Sequence, residues 1–100
     1  MAVSFHRLAV REFVAARRRY ARIPDDTEAR FVDAVRASVI QIESFPLLGG
    51  LFRNSHRWVR TRRFPHVLYY EVLRPGNEIV YAVAHRRRRP SYWIRRVRRP

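Results

Sequence analysis

Apolar positions recur at helical spacing along the first half of the chain and at a spacing of two along the second. A short apolar opening, Ala2 to Phe5, reads as an edge strand. From about Leu8 to Arg22, Ala9, Phe13, Ala16 and Tyr20 fall at intervals of four, three and four, while Arg11, Arg17, Arg18 and Arg19 take the other faces. That spacing predicts an amphipathic helix. Ile23-Pro24 ends it, because the residue before a proline is pushed out of the α region. Asp25 followed by Glu28 reads as a capping box, with acids that complement the positive end of a helix dipole. A second helix is expected from about Asp26 to Ser44. Its apolar stripe is Val32, Val35, Val39 and Ile42, widened by Phe31 and Ile40. Phe45-Pro46 stops it. The connection is so short that the two helices should form an antiparallel hairpin.

Leu47 to Asn54 reads as a loop pivoting on Gly49-Gly50, with its leucines and Phe52 expected against the core. His56 to Arg63 then alternates. Trp58, Arg60 and Arg62 share one face, and Arg57, Val59 and Thr61 the other. Val67 to Leu73 is rich in β-branched and aromatic residues, as strands are. Pro75-Gly76-Asn77 is a turn signal. Ile79 to His85 is apolar on both faces, which predicts a central strand. Helices first and strands second imply an α+β fold: an N-terminal antiparallel helical hairpin packed on a small antiparallel β-sheet of three to four strands. Residues 1–100 are expected to make a single domain with a basic C-terminal tail.

Composition adds one strong signal. The chain of 100 residues has no cysteine and carries 22 basic residues, all arginine, against 8 acidic ones, for a formal charge of +14. The exclusive use of arginine is explained most simply by codon usage in a GC-rich genome. The charge is a different matter, since self-repulsion on this scale destabilises a small domain unless something acidic offsets it. Nucleic acid and an acidic protein are the two candidate partners. Beyond Glu78 there is no acid, so Arg86 to Arg99 is purely cationic. Arg7 and Arg11 precede any long apolar run and the longest uncharged stretch, Ser44 to Phe52, is far short of a membrane span. A cytoplasmic protein with no membrane partner is the expectation.

Four pieces in order carry a family resemblance. The first helix shows His6, Ala9, Glu12, Ala16 and Tyr20; the second ends in Ile42-Glu43-Ser44-Phe45-Pro46. Arg63-Phe64-Pro65-His66-Val67-Leu68-Tyr69-Tyr70-Glu71-Val72 follows, and then Ala82-Val83-Ala84-His85-Arg86-Arg87-Arg88-Arg89-Pro90 with Tyr92-Trp93. Together they resemble the RelE/ParE superfamily, the toxin halves of type II toxin–antitoxin modules. The resemblance implies a growth-inhibiting toxin held inactive by a cognate acidic antitoxin. ParE-like members of that superfamily inhibit DNA gyrase, and RelE-like members cut mRNA on the ribosome. In the nucleases an arginine opens the third strand at the position that aligns here with His66, which favours the ParE-like branch.

RNA cleavage requires a base for the 2′-hydroxyl, cations for the phosphorane and an acid for the leaving oxygen. In the nuclease branch His85, Arg87 and Tyr92 are the catalytic candidates, with His66 as an alternative proton carrier. A single histidine at a strand end is more simply structural, and that is the preferred reading of His85. The arginines are read as partner contacts. The residues assigned to antitoxin or target binding are Arg60, Arg62, Arg86, Arg88, Arg89, Trp93, Arg95 and Arg96. Trp93 could stack on a base or pack on the sheet. Core packing is the default for Trp58, Tyr69, Tyr70 and Tyr81, and ion pairing for Glu12 and Glu71. His6, His56, His66 and His85 lack the spacing of a metal site, so neither metal nor cofactor is expected. A basic nucleic-acid-binding module without toxicity is the remaining alternative.

Overall fold

The computed structural model describes residues 2–53 and 55–98. Asn54, at the end of the expected loop, and Arg99, in the basic tail, lie outside the described residues. The elements run β1 (Ala2–Phe5), α1 (Arg7–Tyr20), α2 (Thr27–Ser44), β2 (Gly50–Phe52), β3 (His56–Arg60), β4 (His66–Arg74), β5 (Asn77–His85) and a final 3-10 turn, Ile94–Arg98. The fold is α+β, with the helical hairpin and the central β5 where the periodicity puts them. The sheet has five strands in the order β1-β5-β4-β3-β2, and it is mixed: β1 pairs parallel to β5, and the other pairs are antiparallel. The expectation of three to four antiparallel strands is corrected at both edges. β2 is only three residues long and cannot display a period, and β1 finds its partner at the far end of the chain.

One face of the sheet takes the helices. Ala9 and Ala16 of α1 and Phe31, Val35 and Ile42 of α2 are buried against Val59, Leu68, Tyr70, Val80 and Val83. The alanines let α1 lie close to the sheet. Phe31 sits inside a ring of aromatic neighbours: Tyr20 at 4.9 Å, His66 at 5.1 Å, Phe64 at 5.3 Å and Phe13 at 5.8 Å between centroids. Ile40, expected to widen the α2 stripe, is exposed instead. A bulge in β5 sets the remaining alternation. Tyr69 pairs with Ala82 but Tyr70 pairs with Val80, so Tyr81 is the extra residue. The bulge keeps Val80 and Val83 on the helix face and turns Tyr81, Ala82 and Ala84 to the opposite one, where Trp93 covers them.

Two local expectations fail for identifiable reasons. The capping box does not form, because Asp25 and Asp26 both take left-handed backbone conformations, φ 70° and 59°. Asp26 is the N-cap without a side-chain cap bond. The Thr27 hydroxyl donates to the Pro24 carbonyl, and Glu28 pairs across to Arg17 of α1 at 3.0 Å. The loop leucines are not in the core either. Leu47 and Leu48, in the loop before β2, and Leu51 are about two-thirds exposed. Leu51 is the middle residue of an edge strand, set there by the pairing of Gly50 with Trp58, and its side chain is left exposed. Only Phe52 packs inward, 5.7 Å from Trp93. The preceding loop is tied down by the Tyr70 hydroxyl, which donates to the Pro46 carbonyl at 2.6 Å.

Candidate functional site

The C-terminal segment is fastened where β1 runs out. The last β1–β5 pair is Phe5 with Val80, followed by the His6 amide donating to the Val80 carbonyl at 2.8 Å. Beyond that point β5 has backbone groups with no strand to pair with, and such groups are costly to leave unmet when buried. Side chains meet them. The Val83 amide donates to Glu12 Oε1 at 3.0 Å, and Arg96 Nη1 donates to the Tyr81 carbonyl at 2.9 Å. Glu12 and Arg96 also form a two-pronged pair, Nη1 to Oε1 at 3.0 Å and Nη2 to Oε2 at 2.9 Å. Fork-to-fork contacts of this kind are the strong form of ion pair.

Tyr92 completes the anchor. Its hydroxyl donates to Glu12 Oε2 at 2.8 Å. Burial, and then that hydrogen bond to a carboxylate, hold the phenol well above its ordinary pKa. Arg88 lies over the Tyr92 ring at 3.7 Å and approaches Glu12 at 3.8 Å. Val83, Arg88, Tyr92 and Arg96, all far from Glu12 in sequence, therefore converge on its largely buried carboxylate. Next to them Trp93 is fully buried, stacked on Tyr81 (5.8 Å, 8°) and Tyr69 (5.1 Å, 28°).

The expected site residues divide accordingly. Trp93 is a core residue that pins the tail to the outer face of the sheet, and it presents no ring to a partner. Arg96 is committed to Glu12, with its side chain only 13% exposed. Arg88 is half-exposed and shared between Tyr92, Glu12 and solvent. Arg86, Arg87, Arg89 and Arg95 are exposed, and among the described residues none of their guanidinium groups has an acceptor. Arg60 ends β3 and Arg62 lies in the turn after it, both exposed.

The histidines meet across the sheet. His66 and His85 are register partners on β4 and β5, with rings 5.6 Å apart. His85 Nδ1 accepts from the Arg87 amide at 3.1 Å, which places any proton of the neutral ring on Nε2. His66 is buried between Phe31 and Tyr20. Burial first, then the neighbouring His85 and Arg19, lower its pKa to about 4, so it is neutral near pH 7.

Glu12 is the residue whose role the sequence did not reveal. Ion pairing was expected of it, but not that it would gather the tail. The available signal was its isolation, as the only acid before Asp25 in an arginine-rich segment. Among the described residues no group of three or more histidines and acids is placed to hold a metal ion, and no helix is long and apolar enough to cross a membrane.

One protein family, described as the ParE toxin of type II toxin-antitoxin system, parDE, matches residues 3–90. The match runs from β1 through the arginine run and includes Glu12, Val83 and Arg88. No curated protein matches the chain.

Proposed function

This chain belongs to the ParE toxin family of type II toxin–antitoxin systems, and from that premise we propose that it arrests growth by inhibiting DNA gyrase through protein contact, without cleaving RNA. A cognate antitoxin is implied by the family. The observation that carries the gyrase reading is His66. Where the nucleolytic branch has a cation, this chain has a buried imidazole that is neutral near pH 7. Two further commitments support it. The Tyr92 phenol is engaged by Glu12 and held above its ordinary pKa, which makes it a poor proton source. His85 Nδ1 is occupied by the Arg87 amide.

The contact surface in this reading is the set of unpaired arginines, Arg86, Arg87, Arg89 and Arg95, with Arg60 and Arg62 beside the sheet. The antitoxin segment that masks it is acidic and amphipathic, and it folds on binding. Antitoxin and target then compete for the same guanidinium groups. Induced expression tests the proposal. Growth should stop, relaxed plasmid should accumulate as supercoiling by purified gyrase falls, and mRNA should stay intact. Codon-dependent mRNA cleavage with normal supercoiling would establish the RelE-like nuclease instead.

A further inference from the structure

At the end of the sheet, where β3 gives way to a turn and β4 begins, lies an open cleft of about 720 Å³. It is outside the Glu12 anchor, and two of its arginines, Arg60 and Arg86, are shared with the contact surface of the gyrase reading. Its aromatic lining includes Trp58 and Tyr69, cross-strand partners on β3 and β4, and Phe52 on β2, with Phe64 and His66 on the turn side. Its charge comes from three separate places in the chain: Arg60 at the end of β3, Arg63 in the turn, and Arg86 just past β5. The Arg86 amide donates to the Pro65 carbonyl at 2.7 Å, which holds the start of the tail against the turn and keeps these arginines on one opening. Arg63 has φ 65°, a left-handed conformation that arginine seldom adopts.

No carboxylate lines the cleft, and among the described residues none of the three guanidinium groups has a hydrogen-bond acceptor or ion-pair partner. Elsewhere Glu12, Glu28 and Glu71 have all found partners. Three cations gathered in a concavity repel one another unless an anion joins them. Planar aromatics on the same walls call for a second feature in that anion, a flat ring. Guanidinium forks match phosphate geometry, and indole or phenol faces stack on bases.

We propose that this cleft binds an unpaired nucleotide unit, phosphate on Arg60, Arg63 and Arg86 and base against Trp58 and Tyr69. Its volume is that of a small-molecule site, which suits an unstacked nucleotide and excludes a duplex. The source is either a free nucleotide or a single strand, and one experiment separates them. Trp93 is fully buried, so ligand-induced quenching of tryptophan emission reports on Trp58.

The full-length protein is titrated with an oligothymidylate of about twelve nucleotides, a duplex of equal length, ATP, and oligoglutamate. The single strand should quench Trp58 with an affinity that falls steeply with salt. Replacing the three cleft arginines together (R60Q, R63Q, R86Q) should weaken it at least about ten-fold and flatten the salt dependence. Removing equal charge from the exposed face of α1 and the turn that follows it (R11Q, R18Q, R22Q) should leave most of the affinity and all of the quenching. ATP quenching as effectively as the strand would assign the site to free nucleotides; quenching by the strand alone would assign it to single-stranded nucleic acid. The proposal is overturned if no ligand quenches, if the α1 variant loses as much affinity as the cleft variant, or if the duplex binds as tightly as the strand. It is equally overturned if oligoglutamate quenches as well as the strand, which would make the cleft an acidic-protein site. Both arginine variants alter exposed positions, and matching circular dichroism spectra confirm that they fold.

Discussion

Glu12 and Arg96 stand 84 positions apart in sequence and 2.9 Å apart in space. Their pairing is possible only because β1 stops at Phe5, leaving the rest of β5 without a neighbouring strand. One side chain then supplies the acceptor for Val83 and the other the donor for Tyr81, so an ion pair finishes what a strand began.

Removing Glu12 should therefore loosen the whole tail. Glu12→Ala leaves Arg96 largely buried and unpaired, and a cost of about 3–5 kcal/mol is expected in urea denaturation. The double variant E12A/R96M should be more stable than E12A alone, because it no longer strands a charge. If E12A costs less than about 1 kcal/mol, the anchor is not holding the segment.

Trp93 should behave as core. Trp93→Ala is expected to cost about 3–5 kcal/mol. Its indole Nε1 is buried without a hydrogen-bond partner, so Trp93→Phe gives up no such bond and should cost only about 1–2 kcal/mol. Thermal or chemical denaturation of both variants checks the difference. Equal losses would mean that the ring nitrogen matters in a way the packing does not explain.

His66 predicts a pH dependence with a definite sign. Its folded pKa, about 4, lies below the ordinary value of 6.5, so between those values the unfolded chain binds a proton that the folded chain refuses. Stability is full above pH 6.5 and falls on acidification towards pH 4, by up to about 3 kcal/mol. His66→Leu should flatten that slope while retaining the bond from the Thr61 amide to the carbonyl of residue 66. Denaturation midpoints at intervals from pH 4 to 7 measure it, and an unchanged slope would assign the dependence to another group.

Gly50 admits no side chain. A Cβ there would run into the Trp58 indole, at Cε2, Cζ2 and Nε1. Gly50→Ala should destabilise the protein by about 1–3 kcal/mol through overpacking. In a Trp58→Ala background the same change should cost much less, a coupling that a double-mutant cycle reads directly.

Antitoxin binding should depend on salt chiefly through the association rate. Replacing Arg87, Arg89 and Arg95 by glutamine should slow association and reduce that dependence, with little change in the dissociation rate. Stopped-flow mixing over a range of salt tests this, and a salt-independent association rate would mean that the antitoxin docks elsewhere.

Much of the fold was legible because its signals are local. Ala9 and Ala16, and Phe31, Val35 and Ile42, repeat at helical spacing and are buried as that spacing requires. β5 reads as central because it is apolar on both faces. The failures also have local causes. The three residues of β2 show no period; Leu51 looks like core until it is placed in an edge strand, and Leu47 and Leu48 are exposed in the loop before it. The capping box requires a backbone at Asp25 that the chain does not adopt.

The sequence by itself determined the helical hairpin, the central strand and a C-terminal end bearing only positive charge, because periodicity and net charge are properties of neighbours along the chain. Which arginines are free to meet a partner was decided by the tertiary structure. Arg95 and Arg96 are adjacent and chemically identical, yet Arg95 is exposed while Arg96 is held in the Glu12 carboxylate. The difference arises from the point where β1 ends and from the unpaired backbone it leaves on β5. That is a long-range consequence of strand pairing, and no local pattern encodes it.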